Sequence, residues 1–499
     1  MQPRLLYKDA DFIVKKSFSL YQDTLFQDLQ LQYICEAMAE NDDANFLFNT
    51  CKTALLENST NLSTILYRQE ILNDCLKNKS IILELNQLAT EGVIGEKDKY
   101  YRIFAKYPSS ILSSSVRALE FYVSILKKIR LLIDNTADHF SSEGFLQLFS
   151  MIKTELTDDY FNEILGHLKT LSFPDGIFAS ASLGPANKGI NYTLRLKTSP
   201  KKNWFQKLFT RKNSMFTFYL HERDETGARA FSNLKDITIN STANVLAQSA
   251  DHVLAFFSQL KIELGFYIGC LNLFDKLTQK GYSISYPIPM PIKSHALKFS
   301  ELYDIALALQ IDTPITSNSL TATEKDLLFI TGANQGGKST FLRSLGVSQI
   351  MMQCGMFVGA SFFQANICPK IFTHYRKEED SFMISGKLDE ELLRMDALLD
   401  EFCPYSLFLF NESFASTNER DGSEIARQIT QGLLEGHAKV IFVTHLYEFP
   451  QAFFKKHLKN CLFLEACRDI SGKRTFQFNE KEPSGISYGQ DLYKNIFPT

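Results

Sequence analysis

A run of glycines followed by one lysine and one serine has the residue types and spacing of a nucleotide phosphate site. Gly332, Gly337, Lys338 and Ser339 satisfy the pattern G-x-x-x-x-G-K-S. Glycines let consecutive backbone N–H groups turn toward phosphate oxygens, and a following helix points its positive end at the same anion. A lysine at this position reaches the β- and γ-phosphates, and the serine hydroxyl is a ligand for Mg²⁺. The pattern predicts binding of a nucleotide together with Mg²⁺.

The residues around this loop predict a strand before it and a helix after it. Residues 327–330 are uniformly apolar, which indicates a buried strand. After the loop, Phe341, Leu342, Leu345 and Val347 are apolar at helical spacing. The alternative is a glycine-rich turn that matches the motif by chance. Such a turn would lack the strand–loop–helix context that the motif requires.

Two further apolar runs end in polar residues that suit hydrolysis of a phosphate bond. Residues 405–410 (YSLFLF) precede Asn411 and Glu412, and residues 439–444 (KVIFVT) precede His445. A carboxylate beside a phosphate loop can orient and deprotonate the attacking water, and an imidazole can donate to the γ-phosphate or the nucleophile. The three strand ends together predict one site at the edge of a parallel sheet.

Composition restricts the class of protein and its compartment. The 499 residues are 45% hydrophobic and 22% charged, which is typical of a globular protein with several domains. The net charge of −3 gives no bulk signal for nucleic acid. Nine cysteines without a C-x-x-C pair argue against a zinc site or a disulfide framework. Since no long uncharged apolar run or leader-like N-terminus occurs, we expect a cytoplasmic protein with no membrane partner.

The first 295 residues are predicted to be mostly helical. Residues 20–171 have helical periodicity, and residues 113–134 carry one apolar stripe that fits either a bundle core or a long lever helix. Residues 173–240 contain prolines, glycines and alternating apolar residues, which predict turns and short strands. Helical periodicity resumes over residues 241–281, and the three prolines of residues 287–293 predict a linker or the start of a strand.

The strand-rich insertion contains a basic, aromatic stretch that could contact nucleic acid. Between Arg195 and Lys212 there are seven basic residues and no acidic one. The candidate contact residues are Lys201, Lys202, Trp204, Lys207, Arg211 and Lys212. Basic side chains beside aromatic rings suit phosphate contacts and base stacking, although a solvated loop with a small aromatic anchor has the same composition.

Three segments resemble the ATPase domain of the MutS mismatch-repair family, a branch of the ABC-class ATPases. They read TGANQGGKST, SLFLFNESFASTNERDG and VIFVTHLYEF, and the resemblance is strong over about residues 296–495. It implies an α/β P-loop ATPase domain of the ABC type at residues 296–499. It also implies a mostly α-helical core and lever region at residues 1–295, with the small β-containing, basic insertion at 173–240.

The resemblance implies a role for each site residue. The ATP loop comprises Gly332, Ala333, Asn334, Gln335, Gly336, Gly337, Lys338, Ser339 and Thr340. Lys338 would bind phosphate, Ser339 and Asn411 would hold Mg²⁺, Glu412 would be the general base, and His445 would sense the γ-phosphate. The serine that completes a partner subunit's site in the family best matches Ser385, which implies a homodimer. The helix after it is predicted to have Leu388, Leu392, Met395, Leu399 and Phe402 on one apolar face.

The sequence departs from the family in several places. It starts directly in the helical region, so we expect no classical mismatch reading, and it ends without the usual C-terminal dimerisation helices. Asn411 stands where the family has a magnesium-associated aspartate, so we expect weaker Mg²⁺ retention. Residues 311–320, where the family stacks the adenine, contain no aromatic residue, which leaves base specificity open.

The residues together with the resemblance imply ATP hydrolysis that drives lever or clamp movement on DNA. One alternative is a nucleotide-gated clamp or scaffold that hydrolyses little ATP because of Asn411. The other is an ATPase that acts on a protein partner. The presence of both Glu412 and His445 favours hydrolysis.

Overall fold

A computed structural model describes residues 1–40, 45–99, 107–174, 176–195, 217–377, 386–469 and 473–483. Contacts divide the chain into two compact units. Unit 1 comprises Met1–Pro3, Leu83–Asp138 and Gln147–Lys261, and unit 2 comprises Arg4–Ile82, His139–Leu146 and Ile262–Thr499. The contacts therefore place the first helices in the same unit as the C-terminal sheets. The division into a helical region at residues 1–295 and an ATPase domain at residues 296–499 stays a prediction from the sequence.

The described residues form helices and strands that we number in chain order. The α-helices are α1 (Leu20–Asp28), α2 (Leu31–Met38), α3 (Phe46–Glu57), α4 (Leu62–Lys77), α5 (Lys79–Lys99), α6 (Pro108–Thr136), α7 (Glu143–Glu155), α8 (Asp158–Leu171), α9 (Glu225–Gln279), α10 (Ile305–Gln310), α11 (Lys338–Gln353), α12 (Lys387–Asp400), α13 (Glu419–Glu435) and α14 (Glu448–Phe454). The strands are β1 (Phe178–Leu183), β2 (Gly189–Arg195), β3 (Ile288–Met290), β4 (Leu297–Leu302), β5 (Asn318–Thr321), β6 (Leu327–Thr331), β7 (Phe362–Asn366), β8 (Ile371–Tyr375), β9 (Leu407–Asn411), β10 (Lys439–Val443), β11 (Cys461–Arg468) and β12 (Arg474–Glu480).

Unit 1 is built on two long helices and one hairpin. Helix α6 buries the stripe predicted from its periodicity, and Tyr122 on that stripe packs against Phe257 of α9 with ring centroids 5.6 Å apart. The short strands predicted in this region are present as β1 and β2, which pair antiparallel. The prediction that the strand-rich insertion reaches residue 240 is wrong, because helix α9 already begins at Glu225. Asp224 caps it by accepting the Gly227 N–H at 2.8 Å, which starts a helix where the glycine suggested a turn.

Helix α9 is 55 residues long and has a window apolar enough, by length and composition alone, to cross a membrane. Within the protein, 61% of that window is buried. A helix in a protein core has the same property.

Unit 2 contains a six-stranded sheet in the order β12-β11-β6-β10-β9-β8. All neighbouring pairs in it are parallel except β11 with β12. Its strands β6, β9 and β10 are nearly continuous apolar runs, as expected for parallel strands covered on both faces. Stacked rings form much of this core: the centroids of Phe410 and Phe442 are 4.7 Å apart, and those of Phe329 and Phe463 are 5.3 Å apart.

A second sheet in unit 2 has the order β3-β7-β4-β5. Strand β3 comes from the proline-rich stretch, which therefore starts a strand as predicted. It pairs with β7 over three residues and is at the edge of the sheet, where proline is tolerated.

The first residues of unit 2 are buried against helices that lie far away in the sequence. The Leu5 N–H donates to Glu263 Oε2 at 2.5 Å, and the Tyr267 hydroxyl donates to Leu5 O at 2.7 Å. Arg68 Nε donates to Leu6 O at 2.9 Å. Leu5 and Leu6 are fully buried, so this segment is part of the core.

Candidate nucleotide-binding site

The glycine-rich loop joins the end of β6 to the start of α11. Gly332 has φ +115° and Gly337 has φ +86°, which is backbone that favours glycine. A Cβ atom on Gly332 would lie 2.9 Å from both the Cβ and the backbone nitrogen of Ala466. The two glycines are therefore needed for the path of the loop, and the loop ends where the amino end of α11 begins.

Lys338, the first residue of α11, is held beneath the loop. Its Nζ donates to Gly332 O and to Ala333 O, both at 3.0 Å. Burial lowers the pKa of Lys338 to about 8, and the nearby Glu412 carboxylate opposes that shift. A cation whose charge is only partly solvated in this way is poised to bind a phosphate anion.

Ser339 and Asn411 meet at the point where α11 and β9 approach each other. The Ser339 hydroxyl donates to Asn411 Oδ1 at 2.9 Å. A hydroxyl and an amide oxygen are hard donors of the kind that Mg²⁺ accepts, so these residues fit the ion. Among the residues that the structure describes, no group of three or more His, Cys, Asp or Glu could hold a metal.

Glu412 and His445 follow neighbouring strands and form a hydrogen-bonded pair. His445 Nε2 donates to Glu412 Oε1 at 2.7 Å. That hydrogen bond, helped by the charges of His445, Lys338 and Arg376, lowers the pKa of Glu412 against the opposing effect of burial. The Glu412 N–H donates to Val443 O at 2.9 Å, which fixes the backbone beside the imidazole.

The structure confirms the predicted strand arrangement. Strand β10 lies between β6 and β9 and pairs parallel with both, so the loop, Asn411–Glu412 and His445 lie at one edge of the sheet. The catalytic and binding roles of these residues stay predictions. Ser385 and all six residues of the basic, aromatic stretch lie outside the described residues.

A cavity of about 460 Å³ opens beside the glycine-rich loop. Lys338, Ser339, Thr340 and Glu412 line its polar end, and Tyr303, Leu307, Ile311, Pro314, Ile315, Phe341 and Phe476 contribute apolar surface. The polar end thus continues into a region that could receive a nucleotide base.

Phe476 is an aromatic residue of this cavity that the sequence prediction missed. Residues 311–320 indeed lack an aromatic, but β12 supplies this ring from the far end of the chain. Asn318 Nδ2 donates to Phe476 O at 3.1 Å across 158 residues of sequence. The ring is 45% exposed, so a bound base could stack on it. No local motif marks the position, because only the pairing of β12 with β11 places it there.

Helix α12 differs from its predicted amphipathic pattern. Leu392 and Leu399 were expected in its apolar face, but they are 37% and 42% exposed. The buried positions are Glu391, Met395 and Leu398. The face is rotated because a carboxylate at Glu391 has hydrogen-bond partners in the interior.

These features define a class: a mostly helical region followed by an α/β domain whose parallel sheet carries a glycine-rich loop at its carboxyl edge. Two family models identify it further. The model described as MutS2 N-terminal domain matches residues 60–280, and the model described as MutS domain V matches residues 328–492. The chain belongs to the MutS family, whose members are ATPases.

Curated relatives are similar over part of their length. Mouse MutS protein homolog 4 is 24% identical over 307 residues, which are 61% of this chain and 31% of the relative. The DNA mismatch repair protein MutS of Leuconostoc mesenteroides is 35% identical over 164 residues, or 32% of this chain and 19% of the relative. That of Thermotoga maritima is 31% identical over 175 residues, or 33% and 22%. The chain thus spans about a third or less of these relatives.

Proposed function

We propose that this chain binds ATP with Mg²⁺ and hydrolyses it to drive movement of its helical region on DNA. The observation that carries the proposal is the meeting of three pairs of groups at one edge of the sheet. These are Lys338 with its loop, Ser339 with Asn411, and Glu412 with His445. Each pair supplies one requirement of phosphoryl transfer to water: anion binding, metal binding and proton transfer.

Glu412 would accept a proton from the attacking water as the water oxygen bonds to the γ-phosphorus and the bond to the β,γ-bridging oxygen breaks. The His445 hydrogen bond keeps the carboxylate ionised and oriented, but it also makes it a weaker base. If His445 turns its N–H to the γ-phosphate, that restraint is removed and the pKa of Glu412 rises. The carboxylate then becomes a better base when the nucleotide is in place.

Ser339 and Asn411 would hold the metal, and a bound Mg²⁺ neutralises phosphate charge. Lys338 would exchange its two carbonyl partners for phosphate oxygens. Phe476 would cover the base. The apolar surface of the cavity excludes water from the base and strengthens the polar contacts at the other end.

Similarity to relatives named as DNA mismatch repair proteins supports DNA as the partner. A working assembly of two such chains is part of the proposal. Movement of the helical region would couple the state of the nucleotide to its grip on DNA. The contribution of Ser385 to a partner subunit's site is part of the proposal.

The test of hydrolysis is Glu412→Gln, which keeps the size of the side chain and removes its basicity. We expect turnover to fall by at least about 100-fold while ATP still binds, since proton transfer contributes factors of this order. The matched control is Glu435→Gln, the same change on the exposed end of α13, which should leave turnover unchanged. Normal turnover in Glu412→Gln would refute the assignment of the base.

The test of the DNA partner is steady-state hydrolysis with linear, mismatched, branched and single-stranded DNA. Stimulation or suppression by one form would establish coupling and identify the substrate class. If hydrolysis does not respond to any of them and the protein does not bind DNA, the DNA part of the proposal fails and a protein partner is favoured.

A further inference from the structure

Glu391 of α12 is a buried carboxylate whose two oxygens are both used by the turn that follows Glu412. Only 3% of its surface is exposed. Its Oε2 accepts the Phe414 N–H at 2.8 Å, and its Oε1 accepts the Ser416 hydroxyl at 3.0 Å. One side chain of a neighbouring helix therefore fixes two points of the turn.

The turn needs such support because its backbone is strained. Glu412 has φ +55° and Phe414 has φ +61°, which is left-handed backbone that neither a glutamate nor a phenylalanine favours. Conformations of this kind persist only where surrounding groups hold them. Charge-assisted bonds from a buried carboxylate are strong enough to do so.

His374 of β8 connects the same helix to the same turn from the other side. Its Nε2 donates to Glu391 O at 3.0 Å, and its Nδ1 lies 2.8 Å from the oxygen of the Ser413 hydroxyl, which donates to the backbone carbonyl of His374. The imidazole is 1% exposed and stacks on the Phe414 ring, with centroids 5.2 Å apart. Burial lowers the pKa of His374 to about 4, so the ring stays neutral near pH 7 and can accept at one nitrogen.

We propose that Glu391 is a positioning residue for hydrolysis: through Phe414 and Ser416 it sets the backbone that aims the Glu412 carboxylate. The inference rests on the proposed function, since Glu412 must be the base for its aim to matter. Glu391 itself contacts residues two and four positions after Glu412, Phe414 and Ser416, and takes no part in the chemistry. A displacement of α12 would break the hydrogen bonds of Glu391 to Phe414 and Ser416 together. The orientation of the Glu412 carboxylate therefore depends on the position of this helix.

The test compares three variants of this contact. Glu391→Ala removes both acceptors, and we expect kcat to fall on the order of 100-fold, which is the effect of misplacing a catalytic group by about 1 Å. Affinity for ATP should not change, because the phosphate loop is untouched. The glutamine of Glu391→Gln can still accept the Phe414 N–H, so this variant should keep most of the wild-type kcat. Ser416→Ala removes a single bond from a small side chain and should give an intermediate kcat.

A matched control and a second readout separate this role from folding. Asp396→Ala changes an exposed acidic residue of α12 and should leave kcat unchanged. Thermal unfolding of each variant identifies any that fail to fold. Hydrogen–deuterium exchange of the peptide containing Phe414 measures whether the turn is held in place and does not depend on catalytic activity. Exchange should be slow in the wild type and fast in Glu391→Ala, and exchange in the peptides of the phosphate loop should be unchanged.

Two results would overturn the inference. One is a folded Glu391→Ala protein with wild-type kcat and a slowly exchanging Phe414 amide. The other is a fall in kcat and in ATP affinity that follows the loss of folded protein in all three variants, which would leave Glu391 a purely structural group. Failure of the proposed function gives a different pattern, because wild-type turnover would then be absent while the exchange difference remained.

Discussion

Replacing Asn411 by aspartate tests the metal site through a change of charge with almost no change of shape. Asn411 Oδ1 already accepts the Ser339 hydroxyl at 2.9 Å, and an aspartate oxygen can accept the same bond. The substitution thus keeps the contact and adds one negative charge beside the serine that would ligate Mg²⁺. We expect Mg²⁺ to be held more tightly.

The size of the effect follows from the two roles of Asn411, which would offer an oxygen to the metal and also accepts the hydrogen bond of the other ligand, Ser339. Groups that orient a metal ligand change metal affinity by about 10- to 100-fold. The Mg²⁺ concentration for half-maximal hydrolysis should fall by that factor, which corresponds to about 1.4 to 2.7 kcal/mol of binding free energy. The same shift should appear in calorimetric binding of ADP at a series of Mg²⁺ concentrations, which does not depend on turnover.

A double-mutant cycle with Ser339→Ala tests whether the aspartate at position 411 strengthens Mg²⁺ binding together with the Ser339 hydroxyl. If the aspartate acts with Ser339, its gain should largely disappear when the hydroxyl is absent. An unchanged Mg²⁺ requirement in Asn411→Asp, with the protein folded, would refute the reasoning about this pair.

Three other outcomes are expected. Phe476→Ala should weaken ATP binding by about 1 to 3 kcal/mol, the usual value of one stacked base, and should leave binding of inorganic tripolyphosphate unchanged by calorimetry. Gly355→Ala should destabilise the fold by about 2 to 5 kcal/mol in denaturant titrations, because the residue has φ +76° and its new Cβ would meet Arg68 Cβ at 2.4 Å. The free energy of unfolding of the wild type should fall by up to about 3 kcal/mol as the pH falls from 6.5 to 4, as measured by denaturant titration at each pH. The reason is that His374 binds a proton in this range in the unfolded state but stays neutral in the folded state, so His374→Gln should lack that pH dependence.

The sequence predicted the parts of the site that are local in the chain. Each of the three strands is an apolar run that ends at its polar residues, and the motif of the loop fixes their common edge. Phe476 could not be predicted, since its position depends on an antiparallel strand added at the end of the chain.

Glu391 was missed for a related reason. Periodicity assigns the buried face of a helix to its apolar residues, and a carboxylate there becomes acceptable only through partners in a turn 23 residues away. The start of α9 at Glu225 was missed because a side-chain cap outweighed the turn preference of Gly227.

The burial of the first residues in unit 2 also sets an order of events during synthesis. The bond from Leu5 to Glu263 spans 258 residues, so at roughly 5 to 20 residues per second Leu5 waits on the order of 10 to 50 s for its partner. Nearly all of unit 1 lies between residues 83 and 261 and can fold while unit 2 is still incomplete. The surfaces of residues 4–82 that pack on later elements, such as Tyr21 on Phe372 of β8, have no partner until those elements have been made.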